Sequence, residues 1–351
     1  MCNTQSAPLR VAAKQRSLLI DFRWPPAIPP FFPPLWLRGG HVQTLAGAFW
    51  PKRLPAYRAT PRPVKLDDGD MVVIHDDCPP DWQPGNAAAL LMHGLSGCHL
   101  SPLLVRLAHK LSACGVRVFR LDLRGCGAGL GLAQKPYHAG CSNDLAQVVT
   151  AVLAWCASPL TLVGVSLSGN ILLKYLGEAP DRVPADVVRA MAINPPIDLA
   201  RSVATLDRSV NRWYDRHFFV QLTRHLHERR RQLPDAPFPA GAPRSRRLYD
   251  FDDWYTAPVS GFGNAATYYA RCSAMQFLPH VRVPTAILTA RDDPLVPVAM
   301  FEEHSSAWPS NVHLAIVDGG GHVGYIARRG VDPDVHWLDW RVVEFVARST
   351  E

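Results

Sequence analysis

The chain has 351 residues, of which 48% are hydrophobic and 19% charged, a balance close to the globular average that excludes a disordered protein. No stretch approaches the roughly 18 uninterrupted apolar residues of a membrane span, and no apolar run of about 7–15 residues follows the basic stretch 10–16 as a secretory signal would require. A soluble, cytoplasmic protein is expected. The net charge is +7, and 13 Arg against 8 acids between Ile197 and Pro284 place +5 of it in one quarter of the chain. The eight cysteines form no C-x-x-C pair and no Cys/His spacing, so neither a zinc site nor a redox motif is expected, and the thiols read as structural.

Residues 1–57 read as an N-terminal arm. Six of the ten residues from Pro25 to Pro34 are proline, which suits an extended segment and excludes helix or central strand. Trp24, Phe31, Phe32 and Trp36 are interleaved with these prolines, which implies an arm laid against the domain surface. A core then begins near residue 58. Strands are predicted at 71–75, 88–93, 116–122, 161–165, 187–193, 285–290 and 312–317, mostly near-continuous apolar runs of the kind buried on both faces. Helices are predicted at 102–113, 143–156, 167–176 and 298–308. This alternation means an α/β fold, a mostly parallel sheet with helices on both faces.

Residues 197–284 break the rhythm. They carry helical text at 206–231 and a turn-rich run at 234–243, and a segment of this length between two strands is predicted to fold as a cap over one end of the sheet. The core therefore divides into 58–196 and 285–351. Within the cap, Phe218 and Phe219 belong to an apolar stripe ahead of Arg229, Arg230 and Arg231. Two readings stand: an acyl-lining face with arginines for an anionic head group or a membrane surface, or a helix with a solvated basic face. Nucleic-acid binding is not expected, since no recognised module is present.

The chemistry centres on Leu162-Val163-Gly164-Val165-Ser166-Leu167-Ser168-Gly169-Asn170, where a buried strand turns sharply at a serine and emerges as a helix. This is the pattern of a nucleophile elbow, with small neighbours that let strand and helix approach closely; Ser168 stands where the consensus has glycine. A serine hydroxyl needs a base, and the base an orienting carboxylate. The strand at 285–290 ends in Arg291-Asp292-Asp293-Pro294, and the strand at 312–317 ends in Asp318-Gly319-Gly320-Gly321-His322. Ser166, Asp293 and His322 thus stand at the carboxyl ends of three strands, with Asp292 and Asp198 as rivals for the acid. The oxyanion donors are expected to be the backbone N–H groups of Leu167, next to the nucleophile, and Leu95, in the loop His93-Gly94-Leu95-Ser96-Gly97. His93 reads as a support for that loop.

The sequence resembles the YheT-like branch of the α/β-hydrolases, bacterial relatives of the eukaryotic abhydrolase-domain esterases and lipases. The resemblance runs over nearly the whole chain from about Trp36. It rests on His41-Val42-Gln43-Thr44-Leu45, the His93–Gly97 text, Arg124-Gly125-Cys126-Gly127, Gly164-Val165-Ser166-Leu167 and Phe251-Asp252-Asp253. Thr256-Ala257-Pro258, Gly261-Phe262, Tyr268-Tyr269, Asp292-Asp293-Pro294 and Gly320-Gly321-His322 complete it. It implies an α/β-hydrolase fold with the cap inserted late in the sheet. It also implies a charge-relay triad of Ser166, Asp293 and His322, and hydrolysis of short- to medium-chain acyl esters or lipid esters without metal or organic cofactor. The N-terminal membrane anchor of some relatives is expected to be lacking. Acyl transfer, thioester or amide cleavage by the same triad, and a non-catalytic interaction role for the fold, remain open at this point.

Overall fold

The computed structural model describes residues 28–50, 54–330 and 332–347. The part of the predicted arm before residue 28, with Trp24, lies outside the described residues. Eight strands form one sheet: β1 (Thr60–Lys65), β2 (Met71–Asp77), β3 (Ala88–Met92), β4 (Arg117–Asp122), β5 (Leu160–Val165), β6 (Val187–Ile193), β7 (Thr285–Ala290) and β8 (Val312–Val317). Their spatial order is β1-β2-β4-β3-β5-β6-β7-β8. The β1–β2 and β2–β4 pairings are antiparallel and the remainder are parallel. Every residue of β3, β4, β5 and β7 is buried; β3, β5 and β7 accordingly read as near-continuous apolar runs, whereas β4 also buries Arg117 and Arg120, which pair with Asp76 and Asp77. β1 was not among the predicted strands. Its text, Thr-Pro-Arg-Pro-Val-Lys, carries two prolines, and it lies at the sheet edge, where a missing N–H costs no ladder bond.

The helices are α1 (Gly40–Phe49), α2 (Pro102–Ala113), α3 (Ser142–Cys156), α4 (Leu167–Glu178), α5 (Leu199–Leu206) and α6 (Arg212–Gln232). They are followed by α7 (Leu248–Phe251), which runs through a π-helical turn (Asp252–Thr256) into α8 (Ala257–Val259), then by α9 (Ala265–Cys272), α10 (Ala299–Glu302) and α11 (Trp337–Ala347). Leu104, Leu107 and Leu111 of α2 and Val342 and Phe345 of α11 form the core on one face of the sheet. On the other face, α3 and α4 share a continuous core with Leu199, Phe219, Leu222, Phe251 and Tyr268 from residues 197–284. The predicted cap therefore has no separate core; its apolar residues complete that of the sheet. The predicted helix at 298–308 is shorter, with α10 ending at Glu302 ahead of the polar run Glu303-His304-Ser305-Ser306.

From residue 28 the arm packs on the α11 face. Phe31 meets the rings of Tyr325 and Trp337 edge-on at 5.8 and 5.7 Å, and the Arg328 N–H donates to the Phe32 carbonyl. Trp36 differs from the expectation: it is 69% exposed and stacks on Trp50 instead of lying on the core. The arm also contains α1, which its proline-rich beginning did not suggest.

Candidate active site

Ser166 sits between β5 and α4 with φ +51° and ψ −118°, a conformation costly for a residue with a Cβ and typical of a strained functional turn. Gly164 makes the turn sterically feasible, because a Cβ there would lie 2.4 Å from the Ser168 carbonyl oxygen. Ser168 is fully buried in the position of the consensus glycine. Its hydroxyl donates to the His93 carbonyl, so the extra polar group is satisfied and ties the elbow to the Gly94–Gly97 loop.

The imidazole of His322, from the loop after β8, lies with Nε2 2.9 Å from Ser166 Oγ and Nδ1 2.8 Å from Asp293 Oδ2. A carboxylate oxygen only accepts, so Nδ1 carries the proton and the Nε2 lone pair faces the serine hydroxyl. Asp293, after β7, is held from both sides. Its Oδ1 accepts the Leu295 and Val296 N–H groups at 2.8 and 3.0 Å, and its Oδ2 also accepts Asn194 Nδ2–H at 2.7 Å. Asn194 is fully buried, has φ +45°, and accepts the Tyr325 hydroxyl at 3.0 Å. The two rival acids have other partners. Asp292 Oδ1 accepts the Gly321 N–H at 2.9 Å, and burial raises its pKa; Asp198 caps α5 through the Arg201 N–H.

Three residues at this site were not singled out for it from sequence: Asn194, Tyr325 and Thr44. The first two carry no local motif, and only the parallel register of β6 beside β7 brings Asn194 to Asp293. Thr44 had a signal, the His41–Leu45 text, without a physical reading. Its Oγ accepts the His322 backbone N–H at 2.8 Å and donates to the Gly40 carbonyl at 2.7 Å. The neighbouring Gln43, 1% exposed, binds Leu37 and Ile326 carbonyls and accepts the Ile326 N–H. The close approach requires glycines on both sides: a Cβ on Gly40 would lie 1.7 Å from the Asp292 carbonyl oxygen, and one on Gly321 2.2 Å from the Gly40 carbonyl. Helix α1 is thus a clamp on the loops that carry Asp293 and His322. His41, from the same helix, stacks on Tyr214 of α6 and shares a 3.3 Å hydrogen bond with its hydroxyl.

Ser166 and His322 open onto a cavity whose lining includes Leu95, Leu167, Leu199, Phe218, Leu222 and Leu295. Leu167 is the first residue of α4, so its N–H has no intrahelical acceptor. Gly94 lies close to Ser166: a Cβ there would be 3.2 Å from Ser166 Cβ, which brings the Leu95 backbone to the same side. His93 is fully buried. Its Nδ1 donates to the Gly94 carbonyl, its Nε2 accepts the Leu123 N–H at 3.3 Å, and burial lowers its pKa.

Helix α6, within the predicted cap, divides differently from what its sequence suggested. Phe218 lines the cavity, whereas Phe219 is buried edge-on against Phe251. Arg230 and Arg231 are exposed, but Arg229 points inward, 2% exposed, and borders the cavity.

One cluster among the described residues has the composition of a cation site: His75, His99 and Asp122. The carboxylate is already fully engaged. Oδ2 accepts from His75 Nε2 (2.9 Å), His99 Nδ1 (2.8 Å) and the Ala128 N–H (2.8 Å), and Oδ1 accepts the His99 N–H at 2.6 Å. The two rings stack at 3.4 Å, and the donor pattern fits a hydrogen-bonded buttress for the end of β4.

The alpha/beta hydrolase fold family matches residues 90–328. YheT of Escherichia coli is 28% identical over 92% of this chain and 94% of its own length. The medium-chain fatty acid ethyl ester synthase/esterase 2 of Saccharomyces cerevisiae is 26% identical over 84% of this chain and 68% of its own. Phospholipase ABHD3 of Mus musculus is 23% identical over 98% and 84%. Among solved structures, the Pyrococcus furiosus esterase Pf2001 superposes with a TM-score of 0.54 at 17% identity, covering 86% of this chain and 99% of that one. With the sheet order, the strand-end serine and the matched span in agreement, the chain belongs to the alpha/beta hydrolase fold family.

Proposed function

We propose that this protein is a serine hydrolase of carboxylic esters, with Ser166 as nucleophile, His322 as general base and acid, and Asp293 as the group that orients the imidazole. The observation that carries the reading is the hydrogen-bond chain from Ser166 Oγ through His322 to Asp293 Oδ2 at 2.9 and 2.8 Å. Ser166 Oγ attacks the ester carbonyl as its proton passes to His322 Nε2. The resulting imidazolium is stabilised by Asp293, whose four accepted hydrogen bonds fix its direction. The oxyanion is received by the Leu95 and Leu167 N–H groups, and His322 returns its proton to the leaving alcohol. Water activated by the same nitrogen then releases the acid from the acyl-enzyme.

The apolar cavity under residues 197–284, which act as the cap, supports an acyl chain as the part of the substrate that confers binding. The relatives' names, an esterase that is also an ester synthase and a phospholipase, support acyl and lipid esters as the class. The synthase in the yeast relative's name supports a second outcome of the same acyl-enzyme, transfer to an alcohol in place of water.

A panel of p-nitrophenyl esters of graded chain length tests the reading, together with fluorophosphonate labelling. Turnover is expected to fall roughly 10⁴-fold or more in Ser166→Ala, with loss of the label. Wild-type protein that is folded yet neither labels at Ser166 nor cleaves any ester would overturn it. Product partition between acid and ester in added ethanol separates hydrolysis from transfer.

A further inference from the structure

The inner face of α6 presents Phe218, Leu222, His225, Leu226 and Arg229 to the cavity, an i, i+4, i+7, i+8, i+11 series spanning about 16 Å along the helix. The series begins apolar and ends in a buried cation. Arg229 Nη1 donates to the Tyr255 hydroxyl at 2.6 Å, and Nη2 donates to the Ala133 and Gln134 carbonyls at 3.1 and 3.0 Å. These three bonds go to neutral acceptors, and two of the five guanidinium N–H groups are left over, the buried Nε–H among them. Among the described residues no carboxylate pairs with this guanidinium. Asp252 borders the same cavity but accepts from the Tyr269 hydroxyl instead. One turn earlier, His225 Nε2 is buried with no partner, and burial lowers the pKa of that ring to about 4, so it supplies no charge near pH 7.

A buried cation without a counter-charge is expensive, and an anion bound beside it would offset part of that cost. The geometry points to an anion subsite at the Arg229 end of the catalytic cavity: we propose that the preferred substrates are esters bearing a carboxylate or phosphate, received by Arg229 with His225 beside it. This rests on the ester-hydrolase reading and narrows it. A neutral acyl ester would fill the apolar stretch at Phe218 and Leu222 and leave the guanidinium unanswered.

The experiment compares matched charged and neutral esters on the full-length protein. One pair places the anion on the acyl chain, 4-nitrophenyl hydrogen suberate against 4-nitrophenyl octanoate. The other places it on the alcohol, 1-octanoylglycerol 3-phosphate against 1-octanoylglycerol. Each is measured with wild type, Arg229→Met and Arg229→Lys. The charged-to-neutral ratio of kcat/KM is expected to drop about 10- to 100-fold in Arg229→Met for at least one pair, the range set by a charge-assisted hydrogen bond, and to recover partly in Arg229→Lys. The pair that responds identifies the anion as acyl carboxylate or alcohol phosphate. A folded Arg229→Met with unchanged ratios in both pairs overturns the proposal, because a purely structural Arg229 would lower both members together.

Competition keeps the test available if that variant does not fold. Octyl phosphate and octanoate are expected to inhibit wild-type turnover of 4-nitrophenyl acetate more tightly than octanol, and octanol binding as tightly as both anions overturns the subsite. Failure of the ester-hydrolase reading is distinguishable, since then no neutral ester is cleaved and Ser166 does not label.

Discussion

At the rim of the sheet, Asp293 accepts four hydrogen bonds and the His322 backbone is pinned by Thr44, whereas across the same cavity Arg229 Nε and His225 Nε2 have no partner. Both regions are buried, yet their polar groups are arranged on opposite principles. At the rim, the Ser166, His322 and Asp293 side chains are all hydrogen-bonded within the protein, with Asn194 and Thr44 of α1 holding Asp293 and the His322 backbone. On the inner face of α6, Arg229 Nε and His225 Nε2 are buried with no partner, which the proposed anionic substrate would answer. On the proposed reading, reaction geometry belongs to the sheet and α1, and selectivity to the unanswered groups on α6.

The comparison is sharpened most by acid. Burial lowers the pKa values of His138 and His225, both lining the cavity, to about 4. Unfolded histidine titrates near 6.5, so between about pH 6.5 and 4 the unfolded chain binds more protons at these two sites and stability falls as pH drops. Each contributes a loss on the order of 3 kcal/mol, complete near pH 4. Asp252 acts with the opposite sign, because burial raises its pKa to about 6 and the native state then holds the extra proton between about 4 and 6. The net slope is a loss of stability on acidification. Thermal melts across pH 4–7 are expected to flatten in His138→Gln and steepen in Asp252→Asn. Unchanged slopes in both would mean that this wall is already hydrated.

Next in size is the α1 clamp. Thr44→Val removes the acceptor for the His322 N–H while keeping the shape of the side chain. The expectation is a drop in kcat of about 10- to 100-fold with little change in KM, since a misplaced base slows chemistry without altering acyl binding. Partial recovery in Thr44→Ser identifies the hydroxyl as the cause. A parallel loss in KM would place the effect on the fold instead of on the imidazole.

Phe218→Ala probes the other side. Truncating this cavity-lining ring is expected to shift the preferred acyl length by several-fold in relative kcat/KM, with turnover of a short acetate ester nearly unaltered. Phe219→Ala is the control. That ring packs on Phe251, so its loss is expected to lower the melting temperature without moving the length preference. The smallest effect belongs to Ser168→Gly, which restores the consensus elbow but deletes the tie to the His93 carbonyl. A loss of about 1 kcal/mol in denaturant unfolding is expected, the usual worth of one buried hydrogen bond.

Much of this architecture could be read along the chain. Strands buried on both faces are mostly apolar, so most of β3 to β8 stood out as short near-continuous runs, and the strained turn at Ser166 announced itself through its small neighbours. The chain order of Ser166, Asp293 and His322 at strand ends followed from the same local text. What could not be read in this way is non-local. β1 hid behind two prolines because edge position depends on the neighbours a strand lacks. Asn194 reaches Asp293, and Thr44 reaches His322, across 99 and 278 positions, through strand register and glycine-to-backbone contact that no local pattern encodes. The same holds for Arg229, whose sequence neighbours are two exposed arginines. Helical periodicity allows it to face inward, but only the packing of α6 over the cavity decides that it does. Local physics determined which segments become strands and where the chain turns sharply at Ser166; tertiary structure alone decided which polar groups end up paired, because pairing depends on distances that close only when the sheet, α1 and residues 197–284 are assembled.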